Sequence, residues 1–238
     1  MRRAAWALAA LIALAAGCGG GEDELTVFAA ASLTEAFTAL DGDARFNFAG
    51  SDELATQIRE GAEADVYAAA SPRYPSELHA EGLVGRPRVF ATNTLVIVVP
   101  ADNPAGIRSV ADLQRAGVKL VVGAEGVPVG DYAREVLATV GATDVLRNVV
   151  SSEDDVKGVV GKVAAGEADA GFVYVTDARA AGDNVRAIDL PPRAQAVVEY
   201  RVALVRGSQR PAAAEAFVER LVGAEGRRVL ARAGFGLP

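Results

Sequence analysis

The stretch Val27-Phe28-Ala29-Ala30-Ala31-Ser32-Leu33-Thr34-Glu35-Ala36-Phe37 opens apolar and closes amphipathic. Its first half is predicted to be a buried strand. Ser32 and Glu35 form an S-x-x-E capping box, which predicts a helix from Leu33. A strand running straight into a serine-capped helix exposes unpaired backbone N–H groups beside a hydroxyl. That is a small anion site in outline.

Outward from this stretch the same device recurs. Leu33, Ala36, Phe37 and Leu40 keep helical spacing until Asp41-Gly42-Asp43 stops them. Arg45-Phe46-Asn47-Phe48 alternates like a half-buried strand. In Gly50-Ser51-Asp52-Glu53-Leu54, Ser51 is suited to cap a second helix, and the acidic pair suits its positive end. Ala64-Asp65-Val66-Tyr67-Ala68-Ala69-Ala70 is a third short strand. Strand, helix, strand, helix, strand is the grammar of a parallel α/β lobe.

A second lobe follows. Residues 88–100 contain Leu95-Val96-Ile97-Val98-Val99, the strand expected to leave the first lobe. A strand at 119–122 precedes a helix from Pro128 and Val129, where proline suits a first turn. Ser151-Ser152-Glu153-Asp154-Asp155 is expected to open an acidic-first helix through 165. Gly171-Phe172-Val173-Tyr174-Val175 is a buried strand, residues 200–205 a return strand, and 211–222 and 224–231 terminal helices. The expected fold is α/β with two lobes, each a mostly parallel sheet flanked by helices, around a ligand cleft. Lobe 1 takes residues 25–92 and 196–238, lobe 2 residues 93–195, and residues 1–24 stand apart as leader and tether.

Composition narrows the function. The 238 residues are half hydrophobic and carry a net charge of −7 with no basic block, which argues against nucleic acid as a partner. One His, one Cys and one Met leave no disulfide framework and no His/Cys metal cluster. His79 is the sole imidazole and sits among ordinary surface residues of a helix, so nucleophile–base pairs are scarce.

Met1-Arg2-Arg3 and the apolar run at 4–16 have the charged and apolar regions of an export signal. The run falls short of the ~20 residues that span a bilayer. Leu14-Ala15-Ala16-Gly17-Cys18 resembles a bacterial lipoprotein cleavage site, with Cys18 as the lipidated residue. Diacylation anchors stably where one chain is marginal. The glycines after Cys18 and the acidic Glu22-Asp23-Glu24 then form a solvated tether. The mature protein is expected at the outer face of the cell membrane, or in the periplasm if Cys18 is not lipidated.

Four helix starts, at Ser32, Ser51, Pro128-Val129 and Ser151 to Asp155, follow short apolar segments. Ligands in open α/β sheets lie at the carboxyl ends of strands, where such starts gather. An oxyanion held there needs only N–H and O–H donors, each worth about 1.5–3 kcal/mol. Taken one at a time, each serine is an ordinary cap and Tyr174 an ordinary core residue.

Several ordered stretches together resemble the molybdate-binding proteins of bacterial ABC transporters. They are Val27 to Leu33, Phe48-Ala49-Gly50-Ser51, Gly61 to Tyr67 and Val127-Pro128-Val129-Gly130-Asp131-Tyr132-Ala133. Ser152-Glu153-Asp154-Asp155-Val156, Gly171-Phe172-Val173-Tyr174 with Asp177, and Val198-Glu199-Tyr200 complete the set. The resemblance implies a type II periplasmic-binding-protein-like fold that closes about a hinge and docks on a permease as a monomer. It implies molybdate, with tungstate, as ligand, no enzymatic activity and no cofactor, so that molybdenum is present only as bound molybdate. Ser32 and Ser51 are implied to donate hydroxyl and backbone N–H bonds, Val129 and Val156 backbone N–H groups, and Tyr174 its phenol. The join Leu40-Asp41-Gly42-Asp43-Ala44-Arg45 is shorter than the family's and predicts a short first helix.

Rival ligands and classes remain open at this level. Sulfate matches molybdate in charge. A protonated phosphate wants an acceptor, which Asp52 or Asp131 is placed to supply. A ligand-sensing domain of a transcription regulator would need a DNA-binding helix pair, and an extracytoplasmic enzyme would need a base or nucleophile in the cleft.

Overall fold

The computed structural model describes residues 24–196 and 198–238. The leader, most of the tether and Cys18 lie outside the described residues. Strand β1 (Thr26–Ala30) runs into a 3-10 turn, Ala31–Leu33, and then helix α1 (Thr34–Leu40). β2 (Arg45–Ala49), α2 (Ser51–Arg59), β3 (Val66–Ala69) and α3 (Arg73–Ala80) follow. β1 pairs in parallel with β2 and β3. β4 (Arg88–Asn93) and the late strand β10 (Val198–Leu204) join antiparallel, giving the order β2-β1-β3-β10-β4.

Strand alternation divides this lobe's core in two. Val27, Ala29, Val66 and Ala68 face the layer that contains α1, α7 (Pro211–Val222) and α8 (Ala224–Ala233). Phe28, Tyr67 and Ala69 face Leu54 of α2 and Leu78 of α3. Strands covered on both faces read as continuous apolar runs, which is why the opening stretch is apolar throughout. α1 has only seven residues and is too short to stand alone. Its Phe37 holds it, with ring centroids 6.1, 6.0 and 5.6 Å from those of Phe46, Phe90 and Phe217.

The second lobe contains β5 (Leu95–Pro100), β6 (Leu120–Gly123), α4 (Pro128–Thr139), β7 (Val149–Glu153) and α5 (Val156–Ala164). β8 (Ala170–Tyr174), α6 (Val175–Ala181) and β9 (Val185–Asp189) complete it. Its strand order is β7-β6-β8-β5-β9, with β6 parallel to β7 and β8 and with β5 antiparallel to β8 and β9. Both sheets are thus mixed on one scheme: three parallel strands, then one antiparallel strand (β10 or β5), then an edge strand that again runs with the first three. Among the described residues no helix is long and apolar enough to cross a membrane.

The strand expected at Leu95 to Val99 is β5, and residues 88–93 ahead of it form a further strand, β4, in the first lobe's sheet, with Thr94 between the two. One local expectation changes. Ser151 to Glu153 belong to β7, paired with Val121 to Gly123, and α5 begins only at Val156. Ladder hydrogen bonds along β6 outweigh the local acidic signal, and Asp155 caps α5 instead, accepting from the Gly158 N–H at 2.9 Å.

Candidate functional site

The carboxyl ends of the parallel strands in both sheets face one cleft, and each hands the chain to a helix or turn there. β1 ends beside Ser32. The Ser32 side chain does not cap α1, because the capping position carries no side-chain bond. Its hydroxyl is 2.9 Å from the Tyr200 phenol, and a tight turn intervenes before the α-helix. The tertiary partner takes the oxygen that the capping box would have used.

Ser51 departs from expectation in the same way. It is the first residue of α2, with Gly50 in the capping position. Its Oγ accepts from the Ala70 N–H at 3.1 Å, and its carbonyl accepts from the Tyr67 phenol at 2.6 Å. The side chain ties the helix start to the end of β3.

In the second lobe, Val129 follows Pro128 in the first turn of α4, and Val156 is the first residue of α5. N–H groups in a first turn have no partner within their helix. α4 reaches the cleft because Gly130 lets it press on the end of β6. A Cβ there would collide with the carbonyls of Gly123 and Ala124. Tyr174 closes β8, 1% exposed, and its phenol oxygen has no hydrogen-bond partner among the described residues. Burial, reinforced by Tyr200, holds this phenol well above its ordinary pKa, so it keeps its proton and stays a donor.

Ser32, Ser51, Val129, Val156 and Tyr174 all line one cavity of about 20 Å³ between the lobes. That is space on the scale of one or two water molecules, against ~300 Å³ or more for a typical organic ligand. Alanine and glycine make up much of the remaining wall, and among the described residues no Lys, Arg or His lines it. A buried phenol without a partner costs about 1–3 kcal/mol unless something accepts its proton. Hydroxyls, first-turn N–H groups and positive helix ends converge on a compact space, which suits a small anion held by donors alone.

Residues that the sequence left unassigned also shape the site. Gly50 lies against the opposite lobe, where a Cβ would come within 2.5 Å of the Asp154 carbonyl oxygen. The Tyr74 phenol donates to the Gly126 carbonyl across the cleft, and Lys157 pairs with Glu35 at 2.7 Å between lobes. Asp52 and Asp131 do not line the cavity, although Asp155 does. Burial raises the pKa of Asp52, and Asp131 accepts from the Gly126 N–H at 2.9 Å. His79 sits on α3 beside the Val84 carbonyl, at 3.2 Å, away from the cavity wall. No group of three or more metal-ligating side chains occurs among the described residues.

The family model described as bacterial extracellular solute-binding protein matches residues 25–236. The molybdate-binding protein ModA of Mycobacterium tuberculosis (strain ATCC 25618 / H37Rv) is 42% identical over 233 residues, covering 94% of this chain and 88% of that protein. Its namesake in Escherichia coli (strain K12) is 34% identical over 244 residues, covering 94% and 93%. Among solved structures, the periplasmic molybdate-binding protein of Azotobacter vinelandii superposes with a TM-score of 0.76 at 21% identity, covering 90% of this chain and all of that one.

Proposed function

This chain belongs to the bacterial extracellular solute-binding proteins, alongside the molybdate-binding ModA proteins, and on that premise we propose that it captures molybdate for an ABC importer. Tungstate, with the same charge and shape, is the second ligand. The observation that carries the reading is the unpartnered Tyr174 phenol facing a cavity ringed by helix starts. Ser32, Ser51 and Tyr174 supply hydroxyl donors, and Val129 and Val156 supply backbone N–H groups. Residues 25–92 with 196–238 form one closing body and residues 93–195 the other. The division is supported by the two sheets, which exchange the chain at Thr94 and after β9.

Molybdate is a dianion without a proton at neutral pH, so a cavity of donors suits it. Asp52 and Asp131 stand off that cavity, and the one carboxylate on its wall, Asp155, is engaged in capping. These positions favour a proton-free dianion over hydrogen phosphate. Sulfate remains the alternative of like charge. A thermal-shift panel of molybdate, tungstate, sulfate and phosphate on the purified protein tests the assignment. Binding to the native state raises the melting temperature with ligand concentration over Kd. Molybdate and tungstate should lead, and a panel led by sulfate or phosphate would replace them.

The protein acts as a monomeric carrier that releases its ligand unchanged to a membrane permease, so oxyanion recovered after incubation should be unaltered. Cys18, lipidated after cleavage of the leader, anchors it at the outer face of the membrane. Cys18→Ala should move the protein from the membrane to the soluble fraction in its host, and unchanged partitioning would show that Cys18 is not its anchor.

A further inference from the structure

A chain of buried polar groups runs from the crossing between the sheets to the cavity and ends on Ser32. The Thr94 N–H lies 2.9 Å from Asn93 Oδ1. A backbone N–H only donates, so the amide oxygen of Asn93 is set on that side and its NH2 faces the other way. That nitrogen lies 2.9 Å from Thr176 Oγ1 and 3.4 Å from Tyr200 Oη. It has two protons to give and no lone pair to offer, so Tyr200 accepts from Asn93. The Tyr200 proton is then left for its other neighbour, Ser32 Oγ, at 2.9 Å. Ser32 accepts it, which leaves the proton of Ser32 itself free for an acceptor in the cavity that Ser32 lines.

Ser32, Asn93, Thr176 and Tyr200 are all buried, so bulk water does not compete with this ordering. We propose that Asn93 and Tyr200 are positioning residues that lock Ser32 as a donor toward the ligand, selecting proton-free oxyanions over protonated ones such as hydrogen phosphate. The inference rests on the oxyanion reading of the cavity given above. Neither residue lines that cavity, so both act through Ser32. An O–H of the ligand facing Ser32 would meet its proton unless the hydroxyl turned its one remaining lone pair inward, which would leave the buried Ser32 proton without an acceptor. Ser51 is oriented by the same logic, since its oxygen accepts from the Ala70 N–H.

Calorimetry of molybdate and phosphate on wild type, Tyr200→Phe, Ser32→Ala and the double variant tests this. Phenylalanine keeps the edge-on ring packing of Tyr200 against Phe90, Tyr174 and Phe235. Tyr200→Phe should weaken molybdate binding roughly 5- to 20-fold and narrow the molybdate-to-phosphate affinity ratio, because Ser32 then turns freely. In the Ser32→Ala background the same change should alter affinity less than about twofold. Asn93→Leu, which unpins Tyr200 without touching it, is the second arm and should narrow the ratio likewise. Wild-type affinity and ratio in Tyr200→Phe, or an equal loss with and without Ser32, would overturn the lock alone. A wild-type protein that binds no molybdate would overturn both the lock and the oxyanion reading beneath it.

Discussion

The Asp177 carboxylate lies buried 3.7 Å from the Lys157 ammonium, too far for a hydrogen bond, and neither of its oxygens has another partner. Lys157 sits closer to Glu35, on the opposite lobe, at 2.7 Å. Burial pushes the Asp177 carboxyl up to about 7, with the nearby lysine opposing and Glu35 adding to the shift. The group at the seam between the lobes therefore keeps its proton to a much higher pH than a free carboxyl.

A raised carboxyl in the native state has a defined sign. The native protein holds a proton that the unfolded chain releases near pH 4, so the Asp177 contribution is fully present below that value. It is lost as pH rises through about 7. Wild type should therefore lose about 2–3 kcal/mol relative to Asp177→Asn between pH 5 and pH 8. Urea unfolding of both ligand-free proteins at the two values measures it, and parallel curves would show that Asp177 does not titrate there.

Tyr174→Phe should move stability and affinity in opposite directions. It removes a buried donor that has no partner among the described residues, so the ligand-free form should gain about 1 kcal/mol. The ligand loses the same donor, and molybdate affinity should fall about 10-fold or more. Melting curves without ligand and calorimetry with it report the two effects separately.

Gly50→Ala probes closure without touching a donor. The backbone at Gly50, φ −59°, suits alanine, and within the first lobe the new methyl would displace the Asp52 Oδ1 side-chain oxygen, 2.7 Å away. The new methyl would stand 2.5 Å from the Asp154 carbonyl oxygen of the second lobe. Molybdate affinity should drop at least about 10-fold, while stability changes by less than about 1 kcal/mol. Wild-type affinity would show that the lobes need not approach this closely.

Ser51→Ala and Val129→Ala should separate side-chain from backbone donors. The first removes a hydroxyl donor and strips the Ala70 N–H of its acceptor, so both affinity and stability should fall, the latter by about 1–3 kcal/mol. The second leaves the backbone N–H in place, so affinity should stay within about threefold while lost packing lowers stability by about 1–2 kcal/mol. Denaturation and calorimetry on the two variants give the comparison.

What the sequence determined by itself is the periodic part of the protein. Apolar runs at β1, β3, β5 and β8, Pro128 at the start of α4 and the glycine stops are local features, and they set strands, helices and a two-lobed layout. The sequence also brought forward the residues that meet at the cavity, through their resemblance to a family. Tertiary structure alone decided what those residues do there. Ser32 and Ser51 looked like caps because a capping signal is read within four residues. Their oxygens instead serve Tyr200, 168 positions away, and Ala70, 19 positions away. The direction of the Ser32 proton depends on Asn93, Thr94 and Tyr200 at once. That convergence exists only after β4 and β10 pair, because hydrogen-bond polarity is a property of a folded network and leaves no periodic trace along the chain.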